Sequence, residues 1–183
     1  MPNFLKTKIE GLMVIEPSVF FDDRGFFMET YSKKLFAENG INVEFVQDNH
    51  SQSTKGVLRG LHFQKPPFSQ DKLIRCTRGE VLDVAVDLRK NSPTFGQYES
   101  VILSEENKKQ FFIPQGFAHG FLVLSDIADF QYKCSNFYNK ESEGGLLWND
   151  PEIGIDWPKM DYILSEKDKL WPSLEEIKNN PIF

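Results

Sequence analysis

The residues best suited to chemistry lie in Gly56-Val57-Leu58-Arg59-Gly60-Leu61-His62-Phe63-Gln64. An imidazole, which exchanges protons near neutral pH, follows three residues after a guanidinium, which forks onto carboxylates or phosphates. Taken alone, the stretch has two readings: a proton-transfer group beside an anion clamp, or a strand with a hydrogen-bonded core histidine and a surface arginine. Strict β alternation would send Arg59 and His62 to opposite faces. Gly60 lies where a bulge could bring both to one side.

Other residues could join them. Alternation places Tyr132 on the same strand face as Phe130 and Cys134. A phenol in such a setting can donate a proton, or it can be a core tyrosine with its hydroxyl at the surface. Lys72 opens a strand containing Leu73, Ile74 and Cys76. Pointing inward, its ammonium could stabilise an oxyanion; pointing outward, it is a solvated edge residue. The three histidines, His50, His62 and His119, form no H-x-H or H-E-x-x-H pair, and no cysteine cluster accompanies them, so no metal is expected. There is no G-x-S-x-G, no G-x-G-x-x-G and no P-loop. Any bound phosphate would therefore be held by side chains such as Arg24 and Arg59. What remains is acid–base chemistry with His62 as the candidate base.

Composition narrows the partners. The 183 residues suit a single domain, 1–183, with a sizeable core. Twenty-seven acids against twenty-one bases give a formal charge of −6, which argues against nucleic-acid binding through a basic face. Seventeen phenylalanines supply flat apolar surface for a core, an aromatic pocket or a subunit interface. The two cysteines, Cys76 and Cys134, have no C-x-x-C spacing and read as buried thiols in a reducing compartment. No apolar run approaches a membrane span, so no membrane partner and a cytoplasmic location are expected.

The elements that must position these groups are mostly strands. Short runs rich in β-branched and aromatic residues fall at Val43–Ser51, Val57–Gln64, Lys72–Thr77, Val81–Leu88, Tyr98–Leu103, Gln110–Ile113, Ala118–Leu124 and Asp129–Phe137. Before them, Thr7–Phe20 reads as short strands or an arm, residues 21–25 as a turn and Phe26–Tyr31 as a further strand. Ser32–Asn39 reads as a helix with an N-cap serine. In Val81–Leu88 the apolar Leu82, Val84, Val86 and Leu88 share one face, and Asp83 and Asp87 lie on the other. The strand count favours an all-β fold of jelly-roll type. Two short C-terminal helices are expected from Ser165-Glu166-Lys167-Asp168 and from the capping box Ser173-Leu174-Glu175-Glu176, anchored by Trp157 and Trp171.

Several blocks together resemble one family. Arg24-Gly25-Phe26-Phe27-Met28-Glu29, Phe45-Val46-Gln47-Asp48-Asn49, the Gly56–Gln64 stretch, Ile113-Pro114-Gln115-Gly116-Phe117-Ala118-His119-Gly120-Phe121, Asn149-Asp150-Pro151 and Leu164-Ser165-Glu166-Lys167-Asp168 are similar to the dTDP-4-dehydrorhamnose 3,5-epimerases. The resemblance runs in order along nearly the whole chain. It implies a cupin-type jelly-roll barrel with short flanking helices, forming a homodimer with an exchanged N-terminal arm. It also implies a reaction without metal or cofactor on a nucleotide-linked 4-keto-6-deoxy sugar, in dTDP-rhamnose biosynthesis.

By the same resemblance His62 removes a proton next to the ketone, Lys72 stabilises the enolate and Tyr132 supplies a proton from the opposite face. Asp168 orients His62, with Asp83 as the alternative. Arg24, Phe27, Glu29, Gln47, Asn49, Arg59, His119, Tyr138, Glu143 and Lys167 fall at substrate-binding positions. Arg24 and Arg59 suit the diphosphate, Glu29 and Gln47 the base edge or deoxyribose, and Phe27 and Tyr138 stacking or lining of the sugar pocket. An exchanged arm would make Arg24, Phe27 and Glu29 complete the partner's site. The sugar and nucleotide, and whether C3 alone or both C3 and C5 react, are open at this level.

Overall fold

The computed structural model describes residues 1–183. Thirteen strands form two facing sheets and a small ribbon. The first sheet contains β1 (Asn3–Lys6), β2 (Met13–Glu16), β10 (Gln110–Ile113), β7 (Lys72–Arg78), β12 (Ile127–Cys134) and β5 (Gln47–Thr54), in that spatial order. The second contains β13 (Glu143–Gly145), β6 (Leu58–Gln64), β11 (Phe117–Val123), β8 (Glu80–Asp87) and β9 (Tyr98–Ser104). The ribbon pairs β3 (Val19–Asp22) with β4 (Gly25–Met28). Antiparallel pairing throughout these sheets and many non-sequential neighbours make this the expected jelly roll.

Period-two patterning explains the layers. On β8, Val81 and Ala85 join Ile74, Phe111, Phe121 and Phe130 between the sheets. Leu82, Val84 and Val86 face the other way, where Leu58, Leu61, Leu122, Trp157, Leu174 and Ile177 form a second core under the C-terminal segment. Fully burying one such phenylalanine contributes about 1.5–3 kcal/mol. Asp83 sits on the inner face of β8 at 0% exposure. An unpaired carboxylate there would cost several kcal/mol, more than one phenylalanine contributes, so Asp83 requires a partner. A third apolar cluster, including Phe36, Ile41 and Leu73, seats α1 (Lys33–Glu38).

Several expectations shift, among them the last expected strand, Asp129–Phe137, which runs Ile127–Cys134. The strand expected from Val43 begins at Gln47, because Val43 and Phe45 pack beside Tyr31 instead of pairing in the sheet. The strand expected over Phe26–Tyr31 ends at Met28. Ser32 stands at the N-cap of α1, but its side chain makes no capping bond. The first C-terminal helix is only a 3-10 turn, Lys167–Lys169, with Pro172 soon after it. The second helix, α2 (Leu174–Asn179), has the expected reciprocal capping box between Ser173 and Glu176. At six residues α2 would not persist alone; Leu174 and Ile177 hold it by burial beside Trp157.

Candidate active site

The two sheets open at one end into a cavity of about 960 Å³. Strand β6 crosses its wall with the irregularity that Gly60 suggested. His62 pairs with His119, but Arg59 pairs with Phe121, so β6 carries one residue more than β11 between those points. Gly60 has φ +139°, and a Cβ there would lie 2.6 Å from the Gly120 Cα. The extra residue puts Arg59 and His62 on the same cavity despite their odd spacing.

Eleven of the residues expected at the site line this space: Gln47, Asn49, Arg59, His62, Lys72, His119, Tyr132, Tyr138, Glu143, Lys167 and Asp168. Lys72 and Tyr132 come from the first sheet, His62 and His119 from the second. His62 and Tyr132 therefore face the cavity from opposite walls. Burial raises the Tyr132 phenol and lowers the Lys72 ammonium, the latter partly offset by Cys134 and Asp83.

Each histidine has its own carboxylate. His62 Nε2 lies 2.6 Å from Asp168 Oδ1. Asp168 is carried on the 3-10 turn and reaches His62 because residues 163–172 are stitched to the second sheet. The Leu58 and Leu147 amides donate to the Ile163 and Pro172 carbonyls, and buried Asp150 accepts the Leu174 amide. Burial pushes the Asp168 carboxyl upward, but hydrogen bonding and charge attraction from His62, with help from Ser165 and Trp171, hold it below its ordinary value. His119 Nε2 instead lies 3.1 and 3.0 Å from the two oxygens of Asp83. Asp83 is thus the partner of His119, not of His62, because the β8–β11 register brings it beside that ring. Burial raises Asp83 and lowers His119, against their mutual attraction.

The cavity mouth is a polar loop. The Gln47 side-chain oxygen accepts the Tyr138 amide, and Gln64 accepts the Asn139 amide. Glu143 then receives the Tyr138 hydroxyl and the Lys167 ammonium, joining this loop to the turn that carries Asp168. Arg59 donates to Ser53 at the cavity edge.

Arg24, Phe27 and Glu29 do not line the cavity of their own chain. Arg24 and Phe27 belong to the exposed ribbon and its turn, where Arg24 pairs with Asp22. His50 lies 3.8 Å from Asp129 rather than beside the other two histidines. No three His, Cys, Asp or Glu side chains converge in metal-holding geometry. Sequence reading did not assign Phe121, Cys134 or Trp171 to the site. The first two share strand faces with His119 and Tyr132, a signal available from alternation. The indole position of Trp171 depends on the fold of the tail and carries no such signal.

A family model for dTDP-4-dehydrorhamnose 3,5-epimerase matches residues 6–176. The chain belongs to this family. A dTDP-4-dehydrorhamnose 3,5-epimerase of Methanothermobacter thermautotrophicus is 55% identical over 99% of this chain and 97% of its own length. The Legionella pneumophila dTDP-6-deoxy-D-glucose-3,5-epimerase, solved with dTDP-4-keto-L-rhamnose, superposes with a TM-score of 0.95 at 50% identity, covering 100% of this chain and 97% of that one. A 3'-monoepimerase from Streptomyces bikiniensis, solved with dTDP-quinovose, gives a TM-score of 0.91 at 33% identity over 98% and 91% of the two chains. No helix of the chain is long and apolar enough to cross a membrane.

Proposed function

We propose that this chain epimerises C3 and C5 of dTDP-4-dehydro-6-deoxy-glucose, yielding dTDP-4-dehydro-L-rhamnose for dTDP-rhamnose biosynthesis. The observation that carries the reading is a base with its carboxylate, His62–Asp168, facing a phenol, Tyr132, across one cavity from the opposite sheet. The C4 ketone acidifies the neighbouring C–H bonds. With Nε2 engaged by Asp168, the second ring nitrogen of His62 takes the proton, and the electron pair moves onto the C4 oxygen as an enolate. Lys72 stabilises that oxygen. The Tyr132 hydroxyl then protonates the carbon from the far face, which inverts it, and the protons re-equilibrate before the next turnover. Arg59 clamps the diphosphate, while Gln47, Asn49, Tyr138, Glu143, His119 and Lys167 hold the nucleotide and sugar.

In this reading the whole chain acts as one domain in a homodimer, with the β3–β4 ribbon bringing Arg24, Phe27 and Glu29 to the partner's cavity. Phe20, Phe21, Phe26 and Phe27 are 63, 74, 53 and 71% exposed, an apolar surface suited to a second copy. Two unpaired cysteines suit a reducing cytoplasm. The test is incubation with the 4-keto sugar nucleotide in deuterated water. Deuterium enters at C3 and C5. Entry at C3 alone selects the second reading, a monoepimerase like the Streptomyces relative, and no exchange at either carbon refutes both. A molar mass of one chain by sedimentation equilibrium refutes the dimer.

A further inference from the structure

We infer that Trp171 is a positioning residue for the base, acting through Asp168. This rests on the reading in which Asp168 orients His62. The Trp171 indole N–H donates to Asp168 Oδ1 at 3.3 Å, the same oxygen that meets His62 Nε2 at 2.6 Å. The indole also stands edge-on to the imidazole, with ring centroids 6.1 Å apart at 74°.

The backbone leaves room for this ring. The residue paired with His62 on β13 is Gly145. A Cβ at Gly145 would come within 2.3–2.5 Å of three indole atoms, so the indole fills the space that a side chain beside His62 would need. The Leu147 amide donating to the Pro172 carbonyl at 2.8 Å fixes the chain immediately after the tryptophan. Trp157 offers the contrast: its indole donates to the Trp148 backbone carbonyl at 2.9 Å within the second core. Trp171 instead directs its N–H to a carboxylate already engaged by the base. A second donor on Oδ1 restrains carboxylate rotation and disperses its charge, which sets both the direction and the strength of its pull on His62.

Trp171→Phe keeps an aromatic ring against Gly145 and removes the N–H. The expected result is a fall in kcat of about tenfold, the scale of one hydrogen bond to a charged group. KM stays unchanged, because the indole does not line the cavity. At fixed pH the nitrogen-15 resonances of the His62 ring move. An unchanged kcat, or a raised KM at unchanged kcat, overturns the inference. A second variant leaves the tryptophan in place: in Asp168→Asn the indole N–H resonance of Trp171 shifts and that of Trp157 does not. A stationary Trp171 resonance overturns the inference. This readout needs no substrate, so a stationary resonance counts against the inference itself, separately from the deuterium-exchange test of the proposed reaction.

Discussion

Two histidine–carboxylate pairs sit on neighbouring strands of one sheet, His62 and His119 directly opposite each other in the β6–β11 register. His62 is 31% exposed along its side chain and meets one oxygen of an acid delivered by a distant turn. His119 is 8% exposed and is held by both oxygens of an acid from the adjacent strand. At the first pair the hydrogen bonds around Asp168 outweigh its burial and keep it ionised; at the second, burial outweighs attraction and pushes both partners towards neutrality. The same two residue types are thus prepared for different work. A half-open ring beside a firm anion can take and release a proton. A sealed ring can shape a wall and offer a hydrogen bond.

The sharpest way to break this contrast is His62→Ala. Turnover should fall by about 10²–10⁴-fold, the usual worth of a general acid–base group, measured as product formation and solvent deuterium uptake. Unfolding by urea should change less than for His119→Ala, because Asp168 keeps its hydrogen bonds from Ser165 and Trp171. His119→Ala should do the reverse in kind: it leaves Asp83 buried without its partner and destabilises the fold by about 3 kcal/mol in urea titrations. Equal loss of stability in the two variants would erase the distinction.

Asp168→Asn tests the first pair from the other side. It should lower kcat by about ten- to a hundredfold, as expected for a lost hydrogen bond to a charged group. It also has a pH signature. The folded-state pKa of Asp168 is depressed, so its contribution to stability is present above the ordinary carboxylate value and is lost as pH falls through the folded value. Wild type should therefore be more stable than Asp168→Asn at pH 7, by the smallest margin among these effects, and the two should converge as pH falls through the depressed folded value. A difference that persists in acid would mean the loss is one of packing.

Much of this was legible in the chain. Alternation placed the strands from Leu58 to Cys134 to within a few residues, and the glycine at position 60 announced the bulge that reconciles Arg59 with His62. The pairing of acids with histidines was not legible from pattern alone. Asp83 and Asp168 are both carboxylates within reach of a histidine in principle, and only the lateral register of β8 on β11 gives Asp83 to His119. The tail was the least readable part. Its capping box was plain because capping is local, whereas the turn at Lys167–Lys169 is shaped by contacts to strands a hundred residues earlier. The ribbon residues Arg24, Phe27 and Glu29 carried a family pattern, but nothing local to the chain says what they meet.

His62 and Asp168 are separated by 106 positions in sequence. The last barrel strand ends at Gly145, so His62, Lys72 and Tyr132 belong to the barrel whereas Asp168 belongs to the tail. In the proposed mechanism, competence for turnover thus depends on the docking of residues 163–172 against the barrel. A chain cut short at Gly145 would lack Trp157, Leu174 and Ile177 of the second core as well as Lys167 and Asp168 at the cavity, so the tail serves the fold and the pocket together.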